Sequence, residues 1–263
     1  MNYTKNEVLL DVKEVSLRYD KLILRDINFT IRNIVRPGLD QGQVVSLIGR
    51  SGVGKTQLFR ILAGLTQPDS GTIMIGVEQQ AVEAGQVGIV PQNYLLFNHR
   101  SIYDNLRLAM KHVTLERKEK DALIQDYAVK FDLSEHLKKY PQQLSGGQRQ
   151  RVSIIQQVLT GNRFILLDEP FSGLDALMID KVMDLLGRVA TLHEWNTLVI
   201  VSHDVENSLA ISDTAFILAR EKDKEGATIT ETLDLIEMGL AWTPGIRENA
   251  HFQQVVSQIK HKI

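Results

Sequence analysis

The chain has 263 residues, 43% of them hydrophobic, and a formal net charge of −2. That length holds one large domain or a core with an insertion, and the near-neutral balance leaves no global basic bias, so nucleic acid is not expected as a partner. The absence of cysteine excludes disulfides and thiolate metal sites and suits a reducing cytosol.

Residues 1–7 are polar and lack a signal-peptide apolar core, and the longest apolar runs, 164–167 and 198–201, are far too short to cross a bilayer. A soluble chain is expected, one free to dock on something embedded in a membrane. Residues 8–48 read as β-rich, with Val12, Val15 and Leu17, then Ile27, Phe29 and Ile31, set among polar residues. Residues 33–42 carry Pro37, Gly38 and Gly42 and read as a loop. A short buried strand over 44–48 leads into Gly49-Arg50-Ser51-Gly52-Val53-Gly54-Lys55-Thr56, after which Leu58, Phe59, Ile61 and Leu62 have helical spacing. A turn at 69–71 precedes a strand at 72–75, and 87–90 is another buried strand. From 101 to 140 the chain is charged, short of glycine and helical, with Leu106, Met110, Leu123, Ile124, Tyr127 and Phe131 in an i, i+3, i+4 pattern. Helices are expected at 146–159 and 176–194, and buried strands at 164–167 and 197–202. A hairpin follows over 215–233, then an amphipathic helix with Phe252, Val255, Val256 and Ile259 on one face. Strands alternating with helices predict a mainly parallel sheet.

The octapeptide at 49–56 fits the P-loop pattern in the strand–turn–helix context it requires. Gly49, Gly52 and Gly54 permit a tight backbone whose N–H groups can face phosphate oxygens, and the helix N-terminus adds its positive dipole end. Ser51 lies within the same cradle. Lys55 supplies a cation for the β- and γ-phosphates, and the Thr56 hydroxyl can ligate Mg²⁺. Residues 164–169 are four apolar residues ending in Asp168 and Glu169. Alone they would read as a strand and a charged turn; downstream of a P-loop they predict a carboxylate for Mg²⁺, Asp168, and one that polarises the attacking water, Glu169. Leu144-Ser145-Gly146-Gly147-Gln148 is a capped helix start whose N–H groups, hydroxyl and dipole form an anion site without a lysine. By itself that pentapeptide could be an ordinary helix start.

These motifs together resemble the ATP-binding subunit of an ABC transporter, over nearly the whole chain. The resemblance implies an α/β P-loop NTPase (RecA-like) core with an antiparallel β portion, residues 1–92 and 156–263, and an inserted helical subdomain, residues 93–155. It implies that Tyr19 stacks on adenine, that Gln92 reaches Mg²⁺ and couples to a membrane subunit, that Asp175 belongs to the D-loop of 172–175, and that His203 contacts the γ-phosphate. It implies ATP and Mg²⁺ as cofactors. It also implies a head-to-tail dimer in which Ser145, Gly147 and Gln148 complete the partner's site, separate transmembrane permease subunits, and a cytoplasmic location for this chain, peripheral on the cytoplasmic face of the inner membrane. Departures from the family pattern are Arg50, which either adds charge near the phosphates or points to solvent, Gln57 after Thr56, the run Ile154-Ile155-Gln156-Gln157, and the length of the 33–40 connection. The loop at 93–100, the helix start at 101–105, and a C-terminal extension with Trp242-Thr243-Pro244 and Phe252 look like import ATPases of the nitrate, sulfonate and taurine type. A chain ending at Ile263 is expected to lack the large regulatory domain of sugar-import ATPases; the alternative is that such a tail is generic. A non-transport ATPase acting as a soluble clamp or regulator is the competing function. An inactive nucleotide-binding module is disfavoured because Glu169 and His203 are both present.

Overall fold

The computed structural model describes residues 3–36 and 42–263. In chain order its elements are β1 (Thr4–Arg18), β2 (Leu22–Val35), β3 (Gln43–Ile48), α1 (Lys55–Leu62), β4 (Ser70–Ile75), β5 (Gln80–Ala81) and β6 (Gly88–Val90). Then come α2 (Ile102–Ala109), α3 (Arg117–Lys130), α4 (Gly146–Leu159), β7 (Phe164–Asp168), α5 (Ala176–Thr191), β8 (Thr197–Ser202), α6 (Val205–Ile211), β9 (Thr214–Arg220), β10 (Ala227–Asp234) and α7 (Ala250–Lys262). The strands form one sheet in the order β5-β4-β1-β2-β10-β9-β3-β8-β7-β6.

The sheet has two textures. From β9 through β3, β8 and β7 to β6 the pairing is parallel. All six residues of β3 and of β8 are buried, the mark of strands covered on both faces. At the other end β5, β4, β1 and β2 pair antiparallel. The two parts meet where β10 pairs parallel with β2 at one register position, Ala227 opposite Leu24.

Three apolar clusters cover this sheet. One packs α1, through Leu58, Phe59, Ile61 and Leu62, against the inner faces of β1, β2 and the central strands. A second unites α2 to α5 with the opposite face of β7 and β8 through Ile102, Leu106, Ile155, Leu167 and Leu186. The third holds α6 and α7 over β9 and the end of β10. The expected C-terminal face is the buried one: Phe252, Val255, Val256 and Ile259 are all at most 5% exposed. Asn249 starts that helix, its carboxamide oxygen accepting the Phe252 N–H at 3.1 Å.

One reading needs correction. Residues 33–35, expected in a loop, continue β2, with Lys5 opposite Ile34 and Thr4 opposite Val35. Ile34 is buried and the Asn33 carboxamide donates to Glu7, so the pairing outlasts the signal from Pro37 and Gly38. The rest of that predicted loop, residues 37–41, lies outside the described residues. The uneven spacing of Val12, Val15 and Leu17 is also explained: the register slips between Val12 and Val15, where Glu14 has φ +53°, a bulge that restores all three to the core face. The helical stretch after 101 is two helices and two short 3-10 turns, at Ser134–His136 and Pro141–Gln143, lying between β6 and β7 in the chain.

Candidate functional site

The register of the parallel strands builds the site. Ile48 lies opposite Ser202, and Asp168 opposite Val201. The residues that follow β3, β7 and β8 therefore emerge side by side at the C-terminal edge of the sheet, where open α/β sheets bind ligands. Those residues are Gly49, Glu169 and His203. The Gly49 N–H donates to Ser202 O at 3.2 Å, and the Glu169 N–H to Val201 O at 2.8 Å.

The P-loop leaves β3 under tight constraint. A Cβ on Gly49 would sit 2.5 Å from Leu218 O, so only glycine fits. Gly54 caps α1 with φ +122°. Ser51, Gly52 and Thr56 are exposed on the loop and first turn, while Lys55 is 7% exposed. Lys55 Nζ donates to Gly49 O at 2.8 Å and to Arg50 O at 3.2 Å, and it lies 3.5 Å from Glu169 Oε1. A polyphosphate fits this cradle: glycine-dependent backbone, a helix N-terminus and one buried cation at its centre.

Glu169 is the hub. Its Oε2 accepts from Ser202 Oγ at 2.8 Å and lies 2.9 Å from His203 Nδ1; its Oε1 accepts the His203 N–H at 3.1 Å. The residue holds φ +49°, a region that a glutamate occupies at a cost. Burial by itself raises its carboxyl. The donors His203 and Ser202 and the charge of Lys55 outweigh that, so it lies below the ordinary carboxylate range. Asp168 goes the other way: burial raises it, the Glu169 charge raises it further, and Lys55 opposes both. Two adjacent carboxylates are thus pushed apart, the pattern expected where they serve different roles. Among the described residues no three His, Asp or Glu side chains form a metal cage. One carboxylate, a threonine hydroxyl and substrate oxygens suit Mg²⁺, which keeps much of its own coordination.

Tyr19 and Gln92 reach this cluster through single bonds. The Tyr19 hydroxyl donates to Gln57 Oε1 at 3.1 Å, which ties the β1–β2 turn to the P-loop helix. Gln92 Nε2 donates to Ser172 Oγ at 3.2 Å, and the Ser172 N–H to Glu169 O at 3.1 Å. Ser145, Gly147 and Gln148 stand apart. Ser145 caps α4 in a reciprocal box with Gln148: its Oγ accepts the Gln148 N–H at 3.3 Å, and Gln148 Oε1 accepts the Ser145 N–H at 2.9 Å. A Cβ on Gly147 would meet Met178 Cε at 2.6 Å. The Met178 N–H donates in turn to Asp175 Oδ1 at 2.9 Å, capping α5. Among the described residues, no hydrogen bond or ion pair joins this second group to Lys55, Thr56 or Glu169.

One buried constellation was not anticipated. Asp213, between α6 and β9, accepts from Arg36 Nη1 at 2.7 Å, from Trp242 Nε1 at 2.7 Å and from the Val44 N–H at 2.8 Å. The Arg36 guanidinium also lies 4.7 Å from the centre of the Trp242 ring. Its members are scattered in sequence, so no local motif could reveal it. Its effect is to pin the start of β3, and hence the P-loop, to the C-terminal extension.

Comparison with known proteins gives a consistent picture. The sequence pattern of the family described as "ABC transporter" matches residues 33–172. The sulfate/thiosulfate import ATP-binding protein CysA 1 of Agrobacterium fabrum is 34% identical over 235 residues, covering 85% of this chain and 64% of the relative. The corresponding CysA of Pseudomonas aeruginosa is 36% identical, covering 80% and 63%. The spermidine/putrescine import ATP-binding protein PotA of Treponema pallidum is 37% identical, covering 69% and 48%. The chain therefore spans less than two thirds of the length of these curated relatives. Among solved structures, cbiO1 from Clostridium perfringens, part of the ABC transporter complex cbiONQ, superposes with a TM-score of 0.75 at 21% identity, covering 97% of this chain and 100% of the other. A dimeric ATP-binding cassette in a post-hydrolysis state with ADP and Pi gives a TM-score of 0.69 at 22% identity, covering 86% and 99%. At that identity these two likenesses speak for the fold, a P-loop α/β core.

Proposed function

The chain belongs to the ABC transporter family, and from that premise we propose that it binds and hydrolyses ATP to power an importer. The observation that carries the proposal is the convergence of Lys55, Asp168, Glu169 and His203 at the ends of β3, β7 and β8. In this reading Gly49, Ser51, Gly52, Gly54 and Lys55 hold the phosphates and Tyr19 offers a stacking face to the base. Thr56, Asp168 and Gln92 serve Mg²⁺, which would supply charge neutralisation on the phosphates. Glu169 orients the attacking water. His203 steadies Glu169 and the developing negative charge.

The separation of Ser145, Gly147 and Gln148 from Lys55 supports a head-to-tail dimer, in which these residues and Asp175 face the nucleotide on a second copy. The helical segment 93–155 is proposed as the unit that meets separate permease subunits beside Gln92, which would place the protein peripherally on the cytoplasmic face of the inner membrane. No helix among the described residues is long and apolar enough to cross a membrane. The curated relatives named above are all import ATP-binding proteins, and sulfate/thiosulfate proteins lead them, so a small oxyanion is the proposed cargo class. The polyamine relative matches at similar identity, so the likeness favours import more strongly than it favours anions.

The test is Glu169→Gln. Nucleotide affinity should persist while steady-state turnover falls by about 10² or more, the range of a lost general-base contribution. Turnover near that of the unaltered chain would sink the assignment. Reconstitution with the native permease then decides direction: ATP-driven outward movement of a lipid or drug would leave only the ATPase reading.

A further inference from the structure

Behind the P-loop lies a second cavity, of about 500 Å³, at which three distant segments converge. Its walls include Arg50, Ser51 and Gly52 of the loop, Arg220 at the end of β9, and His261 and Lys262 at the end of α7. Charge accounting separates its cations. Lys262 is paired with Glu231 at 2.7 Å, and the neighbouring Lys260 lies 3.5 Å from Glu206. The three basic residues closing α7 also complement that helix's negative end. Those cations already have a purpose. Arg50 and Arg220 do not: among the described residues no carboxylate lies within ion-pair distance of either, and both are exposed into the cavity. His261 donates its Nδ1–H to Ser257 O at 2.6 Å, so Nε2 of the neutral ring is an acceptor and the donors to an oxyanion are left to the two arginines.

We infer that this cavity is a second anion site, specific for a small tetrahedral dianion such as sulfate or phosphate. Two guanidinium groups are always charged and present planar forks that match oxyanions in paired hydrogen bonds, which favours a polyoxyanion over chloride. The cavity shares residues 50–52 with the P-loop, so its occupancy acts on nucleotide use. Existence of the site does not depend on the hydrolysis reading; its effect on turnover does.

The experiment titrates sodium sulfate by calorimetry into the full chain saturated with a non-hydrolysable ATP analogue and Mg²⁺, with sodium chloride of equal ionic strength as reference. One sulfate should bind per chain with the analogue in place, and Arg220→Gln should weaken it by about fivefold or more, one lost charged contact being enough for that. Sulfate should also change KM for ATP in the unaltered protein and should need a correspondingly higher concentration to do so in Arg220→Gln. Arg220→Lys, which keeps the charge, should retain part of the binding. Heat no greater than with chloride, equal affinity in Arg220→Gln, or equal KM response in both proteins would overturn the inference. So would sulfate bound only when the analogue is absent, because that puts it in the nucleotide's own phosphate cradle. If the analogue itself fails to bind, the nucleotide reading fails, and sulfate binding to the free chain then judges the second site alone.

Discussion

Asp213→Asn should be among the most destabilising single-atom changes available in this chain. All three partners of the carboxylate are donors: the Arg36 guanidinium, the Trp242 indole N–H and the Val44 N–H. A carboxamide has one acceptor oxygen and one NH₂, so either orientation sets donor against donor. The same change leaves a guanidinium with 4% side-chain exposure facing a neutral group. Breaking a buried pair from one side costs about 3–5 kcal/mol. At roughly 2–4 °C per kcal/mol for a chain of this size, the melting temperature should drop by about 6–20 °C. Urea and thermal melts followed by circular dichroism measure it. In a cycle with Arg36→Met, the double variant should lose at least about 1 kcal/mol less than the sum of the singles, because the stranded charge is gone. A loss below about 1 kcal/mol for Asp213→Asn, or additive singles, would refute the claim that this constellation anchors the P-loop strand.

Lys55→Met should raise both Asp168 and Glu169, since the lysine lowers each; carboxyl carbon titration by NMR reads the two directly, and unmoved titrations would remove Lys55 from their environment. Because the Glu169 value is depressed in the folded chain, its stabilising share is complete above the unfolded value of about 4.3 and fades as pH falls through the folded one. Asp168, raised, contributes the reverse: its share is present below the unfolded value and is lost as pH rises through the folded one. Mixing Lys55→Ala chains with Ser145→Arg chains should give heterodimers with one doubly damaged and one intact site, hence measurable ATPase; wholly inactive heterodimers would mean that each site is completed within one chain. With Tyr19 offering a ring face and little edge readout, ATP and GTP affinities should differ by about tenfold at most, and a thousandfold preference in equilibrium binding would require another base-reading group.

What was legible in the sequence was whatever is local. The P-loop, the strand ending in Asp168-Glu169 and the Ser145 cap are each fixed by residues within a few positions, because turns, helix starts and strand ends are short-range objects. The C-terminal face of Phe252, Val255, Val256 and Ile259 was readable for the same reason, since a helix writes its buried side at fixed spacing. The hub around Glu169 was readable only in part. That His203 follows a buried strand could be seen, but its bonds to Glu169 depend on β7 and β8 lying adjacent, which register decides. Arg36, Asp213 and Trp242 were invisible because nothing along the chain links them. The end of β2 was misjudged because Pro37 and Gly38 speak for a loop more loudly than Ile34 speaks for a strand, while the strand's partner, Lys5, lies far back in the chain.

The ten strands also meet unequally, and this bears on how the molecule could yield under load. Between the ribbon that carries Tyr19 and the strands that carry the P-loop, the ladder has one register pair, Ala227 with Leu24. What else closes that seam is side-chain bonding and packing: Thr228 Oγ1 donates to Asp26 O at 3.4 Å, Arg25 pairs with Glu221, and Arg18 Nη2 lies 3.5 Å from Glu225 Oε2. Side-chain contacts give way to sliding more readily than a run of ladder bonds. The ribbon that carries Tyr19 is thus joined to the rest of the sheet chiefly through side chains, whereas β3 and β8 are stitched by six consecutive backbone pairs. Load across the sheet would therefore be felt first along this line and only later within the strands from which the P-loop emerges.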